Sequence, residues 1–168
     1  MTAIPTLVTD RLVLRAFVQR DIDEYAAIIG DPDVTRHLGD GRPLSRAEAW
    51  RQMAMILGHW TLLGYGLWAV EEKATGALMG RIGCQQPEAF PGFEIAYTLG
   101  RQFWGRRFAR EGAAVALAYA RDVLGRTDII SVIRPANVGS IRVSQSLGGV
   151  LDGEVEFYGG PALIYRYP

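Results

Sequence analysis

One cysteine, Cys84, and two histidines, His37 and His59, are all that the 168-residue chain offers for disulfides or soft metal sites. A lone cysteine excludes an intrachain disulfide and a cysteine-cluster metal centre. The histidines stand alone without ligand spacing, so no metal is expected. Net charge is missing too. Lys plus Arg and Asp plus Glu number 18 each, so no global field recruits nucleic acid or an anionic membrane. The longest apolar run, Ala113 to Ala120, is far too short to span a bilayer. The opening residues lack the basic start and long apolar core of a signal peptide. Low-complexity tracts, linkers and internal repeats are absent. The expectation is a single cytoplasmic domain over residues 1–168 whose charged chemistry is local.

Periodicity supplies the elements. Thr6 to Phe17 alternates as a strand, with Leu12 and Leu14 on one face. Asp21 followed by Glu24 reads as a capping-box variant opening a helix that ends near Gly30. Ser45 with Glu48 is a cleaner box, opening a helix in which Trp50, Met53, Ala54 and Leu57 form an apolar stripe. Trp50, Met53 and Leu57 are most simply a stripe of the core.

Gly66 to Glu72 and Ala77 to Gln85 read as strands joined by a turn at Lys73 to Gly76, and Phe93 to Leu99 as the next strand. A helix from about Arg106 to Leu124 and a buried strand from Asp128 to Ile133 follow. Asn137 to Ser140 leads into a helix ending at Gly148 and Gly149, and two more strands flank Gly159 and Gly160. Three consecutive strands between helices exclude a doubly wound parallel sheet. The expected fold is α/β (α+β), a mixed, largely antiparallel central sheet of about six to seven strands with helices on both faces.

The segment Arg101 to Glu111 breaks a local rule. Arg106, Arg107 and Arg110 cluster at a helix start, where unpaired backbone N–H groups and the helix dipole already present positive charge. Basic residues are unfavourable there unless an anion offsets them, so the segment reads as a phosphate-binding helix start. A plain surface arginine cluster is the other reading.

With these pieces in place the chain resembles the GCN5-related N-acetyltransferase (GNAT) superfamily, specifically its RimJ/RimL-type branch, over about Thr9 to Arg166. The resemblance is carried by Thr9 to Arg15, Gly66 to Val70, Thr75-Gly76 with Met79-Gly80, Glu94 to Tyr97, Trp104 to Glu111 and Asn137 to Val143. It implies the GNAT fold and acetyl-CoA as co-substrate. The acyl-CoA loop would then comprise Trp104, Gly105, Arg106, Arg107, Phe108 and Ala109. Arg107 stands where the family prefers glycine. The expectation is that this position stays in the right-handed helical region, leaving the Arg107 side chain to grip phosphate. A positive φ there would instead cost roughly 1–2 kcal/mol and weaken acyl-CoA binding.

The resemblance also implies the remaining roles. The backbone of Tyr97, Thr98 and Leu99 would pair with the pantetheine arm as an added strand. Asn137 would bond the pantetheine or diphosphate region, cap the following helix, or both. Arg142 would add to the acyl-CoA site, and the helix opened by Ser45 with the loop Arg36 to Pro43 would wall the acceptor site, where Asp40 and Glu88 either attract a cationic amine or are simply solvated. Glu94 is the candidate general base, or else it orients the amine or pairs with an arginine. The tyrosine that other branches place near the leaving thiolate is Ser144 here. Ser140 and Ser144, and after them Tyr158, are therefore candidate thiolate hydrogen-bond donors, Ser140 being equally readable as an ordinary polar residue of the first helical turn.

The implied activity is acetyl transfer to a primary amine, of a protein N-terminus or a small molecule, by direct attack in a ternary complex. A catalytically silent acyl-CoA-binding regulator with the same fold is the alternative. Nucleic-acid binding through the arginines lacks both net charge and a base-reading motif. The assembly is read as a monomer or homodimer, with no membrane partner.

Overall fold

The computed structural model describes residues 3–168. In chain order its elements are β1 (Leu7–Val8), β2 (Leu12–Arg15), α1 (Ile22–Ile29), α2 (Pro32–Thr35), α3 (Arg46–Leu63), β3 (Leu67–Glu72), β4 (Leu78–Gln85), β5 (Phe93–Leu99), α4 (Phe108–Asp122), β6 (Ile129–Ile133), α5 (Val138–Ser146), β7 (Val150–Phe157) and β8 (Gly160–Arg166). The eight strands form one sheet in the order β1-β2-β3-β4-β5-β6-β8-β7. Each neighbouring pair is antiparallel except β5–β6. This is the mixed, largely antiparallel sheet expected, with one strand more than the upper count. The run Thr6 to Phe17 folds back on itself, so that Leu7 pairs with Leu14 and Val8 with Val13. Period-2 alternation survives a tight turn, which is why the run reads as one strand.

Helix α4 covers one face of the sheet. Its buried stripe of Gly112, Ala113, Ala116 and Ala120 is small enough for close approach, and a Cβ on Gly112 would lie 2.5 Å from Ile82 Cδ1. Cys84 points the same way, with Sγ 3.9 Å from the Ala116 carbonyl. Strand alternation then turns Arg81 and Gln85 to the opposite face, toward α1 and α3.

Two local expectations fail for tertiary reasons. Asp21 does not cap α1. Its carboxylate turns back to accept from the Val18 amide at 2.9 Å and from Arg15 at 2.8 and 2.9 Å. Glu24 likewise leaves the helix end to accept from the Leu78 amide at 2.9 Å. In α3 the Ser45–Glu48 capping box forms as read. The buried stripe there is Ala49, Met53, Ile56 and Trp60, however, while Trp50 is 50% exposed and Ala54 is exposed too. The helix is rotated by about one residue from the predicted face because Trp60, donating to the Leu67 carbonyl at 2.9 Å, fixes its end.

One feature of the sheet positions everything that follows. β4 and β5 stay paired from Gly80–Leu99 to Gln85–Glu94. β5 and β6 pair only at Phe93–Ile129 and Glu94–Ile130. Beyond Glu94 the β6-facing edge of β5 has no strand partner, and a wedge opens inside the sheet.

Candidate active site

A cavity of about 330 Å³ occupies the wedge. β5 contributes Glu94 to Thr98, β6 contributes Ser131 to Ile133 with Arg134 just after it, and α5 with its cap contributes Asn137 and Ser140. The roof comes from the loop after α2, with His37, Asp40 and Arg42, and from Gln52 and Met55 of α3. The loop and helix considered as substrate walls do wall this cavity, and Asp40 and Glu88 both line it.

Glu94 sits where the β5–β6 pairing stops. It is 7% exposed; one carboxylate oxygen accepts from Gln85 Nε2 at 2.8 Å and the other from the Val132 amide at 3.1 Å. Burial pushes its pKa above the usual carboxylate range, against the pull of those two donors and of the Arg81 charge. A buried carboxyl with a raised pKa, lining a cavity, has the character of a proton acceptor poised nearer neutral pH.

Where the ladder ends, side chains hold the strands. Ser131 Oγ donates to the Ile95 carbonyl at 2.6 Å and lies 2.9 Å from the Tyr167 hydroxyl. Tyr97 donates from its hydroxyl to the Ser140 carbonyl at 2.8 Å, tying β5 to α5. Burial, with Tyr167 and Glu94 nearby, raises the Tyr97 phenol well above its ordinary pKa, so it stays neutral. Asn137 caps α5, its Oδ1 accepting from the Ser140 amide at 3.2 Å. Ser140 and Asn137 thus meet Tyr97, Thr98 and Glu94 around one cavity. Ser144 does not. It is a fully buried residue of α5 close to the Tyr167 hydroxyl, its Oγ has no hydrogen-bond partner among the described residues, and it is absent from the cavity wall.

The arginine-rich loop lies beside the cavity rather than in its wall. Arg107 has φ 64 and ψ 14, a left-handed conformation, so the expected right-handed geometry is not adopted. Gly105, two residues earlier, is left-handed too, at φ 73, and α4 starts at Phe108. Such paired left-handed turns aim successive amides to one side. Among the described residues the amides of 105–110 donate to no protein acceptor; the first to do so is Glu111, to the Arg107 carbonyl at 3.1 Å. The backbone here fits an anion.

The side chains are less free than their sequence suggests. Arg106 pairs with Glu72 at 3.0 Å and stacks on Phe108, and Arg101 pairs with Asp31 and Asp33. Arg107, Arg110 and Arg142 are exposed and have no salt bridge among the described residues. Trp104 donates from Nε1 to the Leu99 carbonyl at 2.8 Å, so Leu99 has one backbone group fewer to offer than expected. Ala109, half-buried, packs against the core.

Cys84 is a buried strand residue whose thiol is pushed up to about 12 by burial, which removes it as a nucleophile. His59 is spent on structure, with Nδ1 2.7 Å from the Tyr65 carbonyl and Nε2 accepting from the Gln86 amide. Sequence reasoning missed Arg81 altogether. It lies in the cavity wall opposite Thr98, half-buried, and its Nε is buried without a hydrogen-bond partner. A lone arginine in a strand carries no motif, and only the lack of a partner in three dimensions marks it.

This geometry has counterparts among known proteins. The chain is 32% identical over 174 residues to the uncharacterized protein YkkB of Bacillus subtilis (strain 168), covering 99% of this chain and 97% of that one. It is 29% identical to the uncharacterized N-acetyltransferase p20 of Bacillus licheniformis, covering 91% and 86% of the two chains. An acetyltransferase structure from Agrobacterium tumefaciens str. C58 superposes with a TM-score of 0.88 at 30% identity, over 100% of this chain and 96% of that one. The family model for the acetyltransferase (GNAT) domain matches residues 11–150, from β2 through the cavity to α5. The chain that carries the open wedge beside β5 and the free amides before α4 therefore belongs to the GNAT acetyltransferase family.

Proposed function

We propose that the protein is an acetyl-CoA-dependent N-acetyltransferase that modifies a primary amine by direct attack in a ternary complex, with Glu94 as general base. The observation that carries this reading is the buried Glu94 carboxylate, its pKa raised, at the point where the sheet opens into the cavity. The naming of the p20 relative as an N-acetyltransferase supports an amine acceptor. The RimJ/RimL-type assignment rests on the sequence motifs, and with it the option of a protein N-terminal amine as acceptor.

Acetyl-CoA, when bound, supplies the activated acyl group. In this reading the amides of 105–110, with Arg107 and Arg110, hold the pyrophosphate. The unpaired edge of β5 at Tyr97 and Thr98 and the Asn137 side chain hold the pantetheine arm. Glu94 removes the proton of an incoming ammonium, whose ordinary pKa is about 10, so that the amine is nucleophilic. The Ser140 hydroxyl, on the first turn of α5, donates to sulfur. A single domain acting in the cytoplasm, as a monomer or homodimer, completes the proposal.

The test is release of free thiol from acetyl-CoA across a panel of amines that includes peptides, polyamines and amino acids. Amine-dependent thiol release supports the enzyme. Tight acetyl-CoA binding without release for any amine would favour a silent acyl-CoA-binding regulator.

A further inference from the structure

Three arginines line the cavity, and two of them are satisfied by the protein. Arg42 pairs with Asp40 and Glu48. Arg134 donates to the carbonyls of Gly39, Tyr158 and Pro161, strapping the roof loop to the β7–β8 hairpin. Arg81 alone has no ion pair and no hydrogen bond among the described residues, and its Nε is buried without a partner. Leaving the buried Nε donor unmade costs about 1–3 kcal/mol, so a guanidinium with that atom unmatched in a cavity wall is a place where a ligand gains by binding.

The neighbours do not supply one. Each Glu94 carboxylate oxygen already accepts one bond, from Gln85 Nε2 or from the Val132 amide, and although the Arg81 charge reaches Glu94 the two form no salt bridge among the described residues. Tyr25, close enough to feel the Arg81 charge, donates its hydroxyl to Gln52 at 2.6 Å. The opposite strand offers only Thr98, its register partner. What remains for the guanidinium fork is the cavity itself.

We infer that Arg81 is the carboxylate-binding residue of the acceptor site, and that the acceptor is a small amine carrying its own carboxylate. The assignment rests on the acetyltransferase reading of this cavity. A planar carboxylate matches the two-pronged fork of arginine, which lysine would not reproduce. Arg81 and Glu94 lie on the same face of adjacent strands, Glu94 opposite Gln85 and Arg81 four residues before it. One end of the cavity is thus set for the amine and the other for an anion. Asp40 and Glu88 in the same walls oppose a dianionic phosphate or phosphonate, so a single negative charge is favoured. A volume of about 330 Å³ suits an amino-acid-sized ligand beside an acyl group.

The experiment compares amino acids, of α and longer amine-to-carboxylate spacing, with their carboxamides and with aminophosphonates in thiol release from acetyl-CoA. The acids should exceed the amides in kcat/KM by about 10- to 100-fold, mostly through KM. Arg81→Met should collapse that ratio to within about threefold, and Arg81→Lys should recover only part of it. Binding of the N-acetylated acid, followed by calorimetry without turnover, should weaken at least about tenfold in Arg81→Met. Equal use of acids and amides by the native protein would overturn the assignment, as would selectivity that survives in Arg81→Met. Should Arg81→Met fail to fold, the native acid-to-amide ratio and Arg81→Lys decide. If no amine of any series releases thiol, the acetyltransferase reading itself falls, an outcome distinct from unselective turnover.

Discussion

Gln85 and Glu94 face each other across β4 and β5, and the Gln85 amide donates to the Glu94 carboxylate at 2.8 Å. On its other side Glu94 makes the last β5–β6 pair, with Ile130, before the sheet opens, so the carboxylate is desolvated by the strands yet borders the cavity. Substituting Glu94→Gln keeps the shape, and Gln85 can turn its amide to present oxygen to the new NH₂ group. Turnover should fall about 100-fold. The native kcat/KM should rise with pH through the raised pKa of Glu94, and the variant should lack that limb. Stability should move the other way. Because the folded pKa lies above the ordinary value of 4.5, the fold prefers the protonated acid. Its stabilising contribution is complete below 4.5 and is lost as pH rises through the folded pKa. Glu94→Gln should therefore melt higher than the native protein at pH 8, the gap closing toward pH about 4.5. An unchanged pH–rate profile would remove Glu94 as the base.

Arg107 holds a positive φ with an exposed side chain, so its backbone and its charge can be separated. Arg107→Gly should relieve left-handed strain of roughly 1–2 kcal/mol, part of it offset by the extra freedom of glycine when unfolded. A rise of a few degrees in Tm is expected. Acetyl-CoA affinity should fall, about three- to tenfold, because one charge near the pyrophosphate is gone. Tighter binding would instead mark Arg107 as a defect in the loop.

Ser140 and Ser144 lie four residues apart on α5 and differ in exposure to the cavity. Ser140→Ala should lower kcat about tenfold with little change in melting temperature. Ser144→Ala should leave kcat within about twofold, since it removes a buried hydroxyl that has no hydrogen-bond partner. A large kcat loss in Ser144→Ala would mean that α5 moves on binding acetyl-CoA.

The devices legible in the sequence are those whose partners lie within a few residues. The Ser45–Glu48 box, the turn ending at Gly76 with φ 72, and Asn137 as a cap follow from local chemistry. Asp21 and Glu24 have the same local signature but are drawn away by Arg15, the Val18 amide and the Leu78 amide. Trp50 fits a helical stripe by spacing, yet the helix is turned by the distant Trp60–Leu67 bond. Glu94 was reached through its strand and the resemblance, whereas Arg81 is defined only by what fails to pair with it across the wedge. Spacing reports neighbours along the chain. It says nothing of a dihedral such as that of Arg107, which lies between the left-handed Gly105 and the buried Phe108.

Gly80 has φ 140 and lies at the register shift between β3 and β4, opposite Val70. A Cβ there would stand 2.1 Å from the Thr98 carbonyl oxygen and 3.0 Å from Leu99 Cα, both backbone atoms of the strand that lines the cavity. Neither can yield like a side chain, so Gly80→Ala must either push β5 away or fail to fold. A loss of about 3 kcal/mol or more is expected from the urea midpoint. Gly76→Ala is the control, because that turn glycine, at φ +72, has nothing within 4 Å of the added carbon. It should cost only about 1–2 kcal/mol, from the left-handed backbone alone. If the two variants unfold at the same urea concentration, β4 and β5 are not in rigid contact at Thr98. If Gly80→Ala folds but loses acetyl-CoA affinity while Gly76→Ala keeps it, the position of Thr98 matters to the pantetheine edge as well as to stability.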